Sequence, residues 1–229
     1  MNRPYIICHM VTSLDGKVTG KFLYSHECAK ATEYYYQLNR DFQADAYACG
    51  RVTMEGSFTG GWYPDLNAYA PLYSPADYIG ENLSGFYAVA FDPHGRLGWR
   101  GTLIIDEDPG YDQAQIVEVL TRQVDPRYLR YLQSAEIPYI FAGEEEIDMD
   151  LALQKLHDLF GIKKLLLEGG SILDGAFQRE GVIDELSLVV APVVADATGK
   201  PLFADATMEN YRLVEAKNDN GVLWLNYKK

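Results

Sequence analysis

Leu165-Leu-Leu-Glu-Gly-Gly-Ser-Ile-Leu173 is an apolar strand that ends on an acid, turns through two glycines and starts a helix. That succession belongs to an open α/β sheet, where ligands bind at the carboxyl ends of the strands. Gly169 and Gly170 let a ligand approach the backbone. The N–H groups of Ser171, Ile172 and Leu173 have no partner within their own helix, and the helix dipole favours an anion there, such as a pyrophosphate. A tight strand-to-helix turn selects glycine on steric grounds too. Glu168 tips the balance towards function, because an acid beside a phosphate site needs its own purpose. Accepting a substrate N–H is one.

The same alternation extends outward in both directions. Apolar runs predict strands at 5–11, 44–49, 86–91, 102–105, 137–142, 163–167 and 186–191, with a further run at 116–120. Helical spacing appears over 27–40, with Ala29, Tyr36 and Leu38 among its buried candidates. It recurs at 125–134, at 150–160 before Gly161 and at 170–180 before Gly181. Arg51 to Ser57 reads as the first turns of a helix. Segments 209–216 and 222–227 flank Asn218-Asp-Asn-Gly221 and predict a terminal hairpin. Strands alternating with helices imply a three-layer α/β/α domain with a mostly parallel sheet and an antiparallel C-terminal edge. No linker or repeat divides the chain, so one domain over 1–229 is expected. The Tyr-, Pro- and Gly-rich stretch 60–85 has the length of a functional loop or lid.

Two more strand ends carry candidate chemistry. Ala48-Cys-Gly-Arg-Val-Thr-Met-Glu55 again meets a glycine and a helix start. There Gly50 opens the turn, Arg51 offers a charged fork suited to phosphate and Thr53 a hydroxyl. Thr12-Ser-Leu-Asp-Gly-Lys17 follows the first strand, and Asp15 is by itself an ordinary turn residue. Asp92-Pro-His-Gly95 reads as a surface turn, His94 included.

The 229 residues are 48% hydrophobic with a net charge of −13. That balance argues against a nucleic-acid binder, which needs a basic face, but not against an anionic cofactor held by a few local donors. Cys8, Cys28 and Cys49 show no CxxC spacing; Cys8 and Cys49 lie in apolar runs and read as buried free thiols, suited to a reducing compartment. The four His residues have no ligand spacing, so no metal is assigned. No apolar run approaches the roughly 20 residues a membrane span requires, and the N-terminus is no signal peptide. A cytoplasmic protein is expected, with a small molecule rather than a membrane or nucleic acid as partner.

Ser13-Leu-Asp-Gly-Lys17, Gly50-Arg-Val-Thr-Met-Glu55, Leu167-Glu-Gly-Gly-Ser-Ile-Leu173 and Asp184-Glu-Leu-Ser-Leu188 stand in an order that resembles the dihydrofolate-reductase-like reductases. Within them the chain is most similar to the C-terminal reductase domain of the riboflavin-biosynthesis deaminase-reductase. The resemblance implies an NADPH-dependent oxidoreductase acting on a pyrimidine- or pterin-like molecule, of the 5-amino-6-ribosylaminouracil phosphate reductase type. It places Thr12, Thr53 and residues 170–176 against the cofactor and Glu168 against the substrate. The hydride-accepting group is then expected near Asp15 and Glu168, with Asp15 or a bound water as the proton donor. It also implies a homodimer with the C-terminal strands as contact. Where that family often has an Asp-Asp-Pro run, this chain reads Gly56-Ser-Phe-Thr-Gly-Gly-Trp62. A dihydrofolate reductase is one alternative, for which Glu27 and Glu33 are the acids available on the first long helix. A non-catalytic nucleotide- or flavin-binding module on the same fold is the other.

Overall fold

In the computed structural model, which describes residues 2–74 and 76–229, the predicted alternation is present. The order is β1 (Tyr5–Thr12), α1 (His26–Phe42), β2 (Ala46–Gly50), α2 (Arg51–Met54), β3 (Tyr87–Phe91), β4 (Gln115–Leu120), α3 (Pro126–Ser134) and β5 (Tyr139–Phe141). Then come α4 (Met149–Phe160), β6 (Lys164–Leu167), α5 (Ser171–Arg179), β7 (Glu185–Val190), β8 (Arg212–Asp219) and β9 (Val222–Lys228). These elements gather into two compact units. The first is Asp45–Lys163 with the first residues of the chain, the second Tyr5–Ala44 with Lys164–Lys229.

In the first unit β2, β3, β4 and β5 pair in chain order, all parallel. Every residue of β3 and β4 is buried, as expected of parallel strands covered on both faces. Asp125 caps α3 and Asp148 caps α4, each accepting a first-turn N–H, and Gly161 ends α4 at φ 71°. Beyond α2 the helix widens into a π turn at Glu55–Thr59. The apolar run 102–105 forms no strand. It makes a single bridge, Leu103 to Gln115, because the turn at 108–114 leads directly from it into β4. The long stretch 60–85 is pinned rather than lid-like. Tyr78 exchanges both backbone hydrogen bonds with Tyr139 of β5, at 2.9 and 2.8 Å, so it covers that edge. Asp77 receives the Phe141 N–H and the Lys155 ammonium, and Tyr63 stacks on Tyr128.

In the second unit β6, β1 and β7 are parallel, and β9 and then β8 follow antiparallel. The hairpin turns at Asn220 and Gly221, both with positive φ, as a two-residue turn demands. α1 packs Cys28, Ala31 and Leu38 against Val189, Ala191, Val222 and Trp224. Ala29 and Tyr36, expected on that face, are exposed. The buried stripe instead runs 28, 31, 38 and 39, with Tyr35 and Phe42 half-buried beside it, which is the helical period taken from Cys28. All three cysteines are buried free thiols.

Candidate active site

Within the second unit two strand ends open together. β6 is last paired at Cys8–Leu167, whereas β1 continues to Thr12, so the Glu-Gly-Gly turn lies along the flank of β1. A side chain on Gly169 would come within 3.1 Å of the Met10 Cε atom, and Gly169 has φ 96°. The positive φ calls for glycine there, and the Met10 methyl would have to give way to any side chain. The Gly169–Gly170 peptide is cis. Gly170 gives α5 no side-chain cap, so the first-turn N–H groups at Ser171, Ile172 and Leu173 are left for another acceptor. The Ile172 side chain is exposed and that of Leu173 half-buried, while the Ser171 side chain is buried.

Glu168 is buried at the end of β6, and its Oε1 accepts the Asn39 Nδ2–H at 2.7 Å. Asn39 is itself buried on α1, and no acid occupies this place. Glu27 and Glu33, the acids available to a dihydrofolate-reductase reading, are both exposed. A carboxylate pattern on the helix does not reveal Asn39. Its signal was a polar residue on the apolar stripe between Leu38 and Phe42.

Thr12 is buried at the end of β1 and passes its carbonyl to the Ala191 N–H. Asp15 is exposed in the following turn. Its Oδ1 accepts from Ser13 Oγ at 2.7 Å and from the Ala195 N–H at 2.9 Å. The Ala195 hydrogen bond, then that of Ser13, holds its carboxyl below the usual range. Asp15 is therefore ionised at neutral pH. It anchors a loop and offers negative charge, but has no proton to donate.

Gly50, Arg51 and Thr53 belong to the first unit. Gly50 ends β2 and leaves α2 without a side-chain cap. Arg51 is half-buried and donates to Glu55 at 2.7 Å, so an anion would compete with that partner. Asp92, buried at the end of β3, is pushed up by burial, and its bonds from the Leu97 and Arg96 N–H groups pull it back, with Arg51 and Arg96 following. Thr53 is half-buried. No group of three or more His, Cys, Asp or Glu among the described residues could hold a metal. No helix among them is long and apolar enough to cross a membrane.

Comparison with known proteins gives this geometry a family. The family model described as RibD C-terminal domain matches residues 4–223. The 2,5-diamino-6-ribosylamino-4(3H)-pyrimidinone 5′-phosphate reductase of Methanothermobacter thermautotrophicus is 26% identical over 84% of this chain and 79% of its own length. The reductase of the same name from Aquifex aeolicus is 26% identical over 88% and 82%. Among solved structures, Acinetobacter baumannii RibD superposes with a TM-score of 0.66 at 20% identity, covering 99% of this chain. The chain spans only 58% of that protein's length. A pyrimidine reductase-like protein from Corynebacterium diphtheriae gives 0.68 at 17% identity, covering 98% of this chain and 91% of its own. The riboflavin biosynthesis reductase of Saccharomyces cerevisiae gives 0.64 at 13%, covering 100% and 91%.

Proposed function

The chain belongs to the RibD C-terminal domain family, and from that membership we propose that it is an NADPH-dependent reductase of a phosphorylated ribosylaminopyrimidine in riboflavin biosynthesis. The observation that carries the reading is a buried carboxylate, Glu168, fixed by Asn39 and followed at once by an uncapped helix start. These residues fit an anionic dinucleotide. The turn has no side chains to block its approach, and the first-turn N–H groups of α5 suit a phosphate. NADPH, when bound, supplies the hydride.

The protein's own part is binding and orientation. Gly169, Gly170, Ser171, Ile172 and Leu173 hold the cofactor's phosphates, with Thr12 beside it; in the first unit Gly50, Arg51 and Thr53 serve the cofactor. Glu168 accepts N–H groups of the pyrimidine and so fixes the angle at which the sugar-derived C=N or C=O group meets the nicotinamide. Asp15 holds its loop by the bonds to Ser13 and Ala195 and keeps a negative charge near the reacting group. The same reading makes the enzyme a cytoplasmic homodimer that contacts its partner through the C-terminal strands.

The test is NADPH oxidation with the 2,5-diamino and the 5-amino-uracil forms of the phosphorylated substrate. Turnover of one of them is expected. Glu168→Gln should raise the pyrimidine KM by about tenfold or more, a loss of 1.4 kcal/mol or more, and leave the NADPH KM within about twofold. Oxidation of NADPH by neither compound, with tight binding of both, would instead favour a non-catalytic module.

A further inference from the structure

Asp174 lies one turn into α5 and is 0% exposed. Neither of its oxygens has a donor in hydrogen-bond geometry, and the Ser171 hydroxyl, three residues earlier on the same helix, is buried and equally unpartnered. The Asp174 Oδ2 atom stands 3.7 Å from the position a Cβ on Gly169 would take, so the carboxyl lies against the inner side of the Glu-Gly-Gly turn. The titratable groups that face it are Glu168 at the end of β6 and Cys8 on β1. No cation acts on it. Burial opposes its charged form most, the approach of the Gly169 N–H, too poorly aligned to count as a hydrogen bond, favours it, and Glu168 opposes it. A negative charge in the first turn of a helix normally suits the dipole. Here it would stand directly behind the N–H groups that must attract phosphate.

We propose that Asp174 is a positioning residue that acts by being uncharged: beneath the Gly169–Gly170 turn it leaves the start of α5 attractive to the anionic cofactor, and its ionisation weakens that hold. The proposal rests on the reading of this helix start as the phosphate site. A new negative charge within about 10 Å of a phosphate, at an effective dielectric near 20, lowers affinity by about tenfold.

Asp174→Asn keeps the shape without the charge, and two measurements on it separate the possibilities. The first needs no ligand. An acid held neutral in the fold costs stability as pH rises above its unfolded value, so the melting temperature of Asp174→Asn should gain on the wild type from about pH 5 to about pH 8. A gap that does not change with pH shows that Asp174 is not held neutral and overturns the proposal. The second is NADPH titration by fluorescence on either side of the pH at which that gap stops widening, which marks where Asp174 ionises in the fold. The wild-type Kd should rise about tenfold or more beyond that of Asp174→Asn. Parallel profiles overturn the link between Asp174 and the phosphates while leaving the reductase reading intact. No binding of NADPH to either protein at any pH overturns that reading, and with it the role given to Asp174.

Discussion

Asn39 donates to Glu168 at 2.7 Å from a buried position, so each side chain sets the other's geometry. Removing the amide leaves a buried carboxylate oxygen short of a donor, which costs about 1–3 kcal/mol. Asn39→Ala is therefore expected to raise the pyrimidine KM by about tenfold, read in the same steady-state assay as Glu168→Gln. An unchanged KM would show that Glu168 does not depend on α1. His9 is a different kind of buried polar residue. Its Nε2–H donates to the Tyr35 carbonyl and its Nδ1 accepts from Ser187 Oγ, which in turn receives the Trp224 indole N–H. The ring also stacks on Tyr35. Every polar atom of that chain is satisfied with His9 neutral, and burial pushes its pKa from 6.5 down to about 4. The unfolded chain takes up the proton first, so stability falls as pH drops from about 6.5 towards 4. The gap corresponds to about 3 kcal/mol at its full extent. Denaturant unfolding at pH 7 and pH 4.5 should show the loss in the wild type and a smaller one in His9→Gln.

At the scale of elements, α5 depends on how closely its start and middle are approached. A Cβ on Gly175 would lie 2.0 Å from the Ala204 carbonyl oxygen, a backbone atom that cannot swing aside. Gly175→Ala should thus destabilise the protein by about 1–3 kcal/mol, although alanine is the better helix former. Thermal unfolding decides it, and a stabilised variant would mean that the 202–207 segment does not pack there. This contact was invisible in the sequence, since nothing local ties Gly175 to residue 204. The helix starts were legible for the opposite reason. Glycine turns are local chemistry, so Gly161 and the Glu-Gly-Gly turn announced their elements, whereas the Asp148 cap emerges only in the fold. The buried parallel strands were legible as unbroken apolar runs. Thr102–Ile105 misled because its apolar side chains do not all enter a core: Ile104 is buried while Leu103 and Ile105 are exposed, and the segment only bridges the start of β4. The 60–85 stretch read as a loop because its order comes from partners far along the chain, Tyr139, Phe141 and Lys155. Glu168 was found from its place after a strand; Asn39 and Asp174 were not, since each gains meaning only from what it faces across the fold.

At the scale of the molecule, β8 poses the last question. All eight of its residues are exposed, and it ends the second unit's sheet with an unpaired edge. Leu213 and Val214 lie bare on it. An edge of that length invites pairing with another chain unless charge protects it. Arg212, Glu215, Lys217 and Asp219 supply some charge, but Lys217 is drawn over the Trp224 ring and paired with Glu215. The apolar pair therefore stays open on the strand that the proposed homodimer would cover. Light scattering should give about twice the chain mass of 25.8 kDa, and Val214→Asp should return it to the single-chain value. A charge placed in the centre of an interface forfeits its apolar contact and is left without a partner, whereas on a solvated edge it changes little. A wild-type protein that remains single at tens of micromolar, or a Val214→Asp variant that stays paired, would remove β8 from the contact.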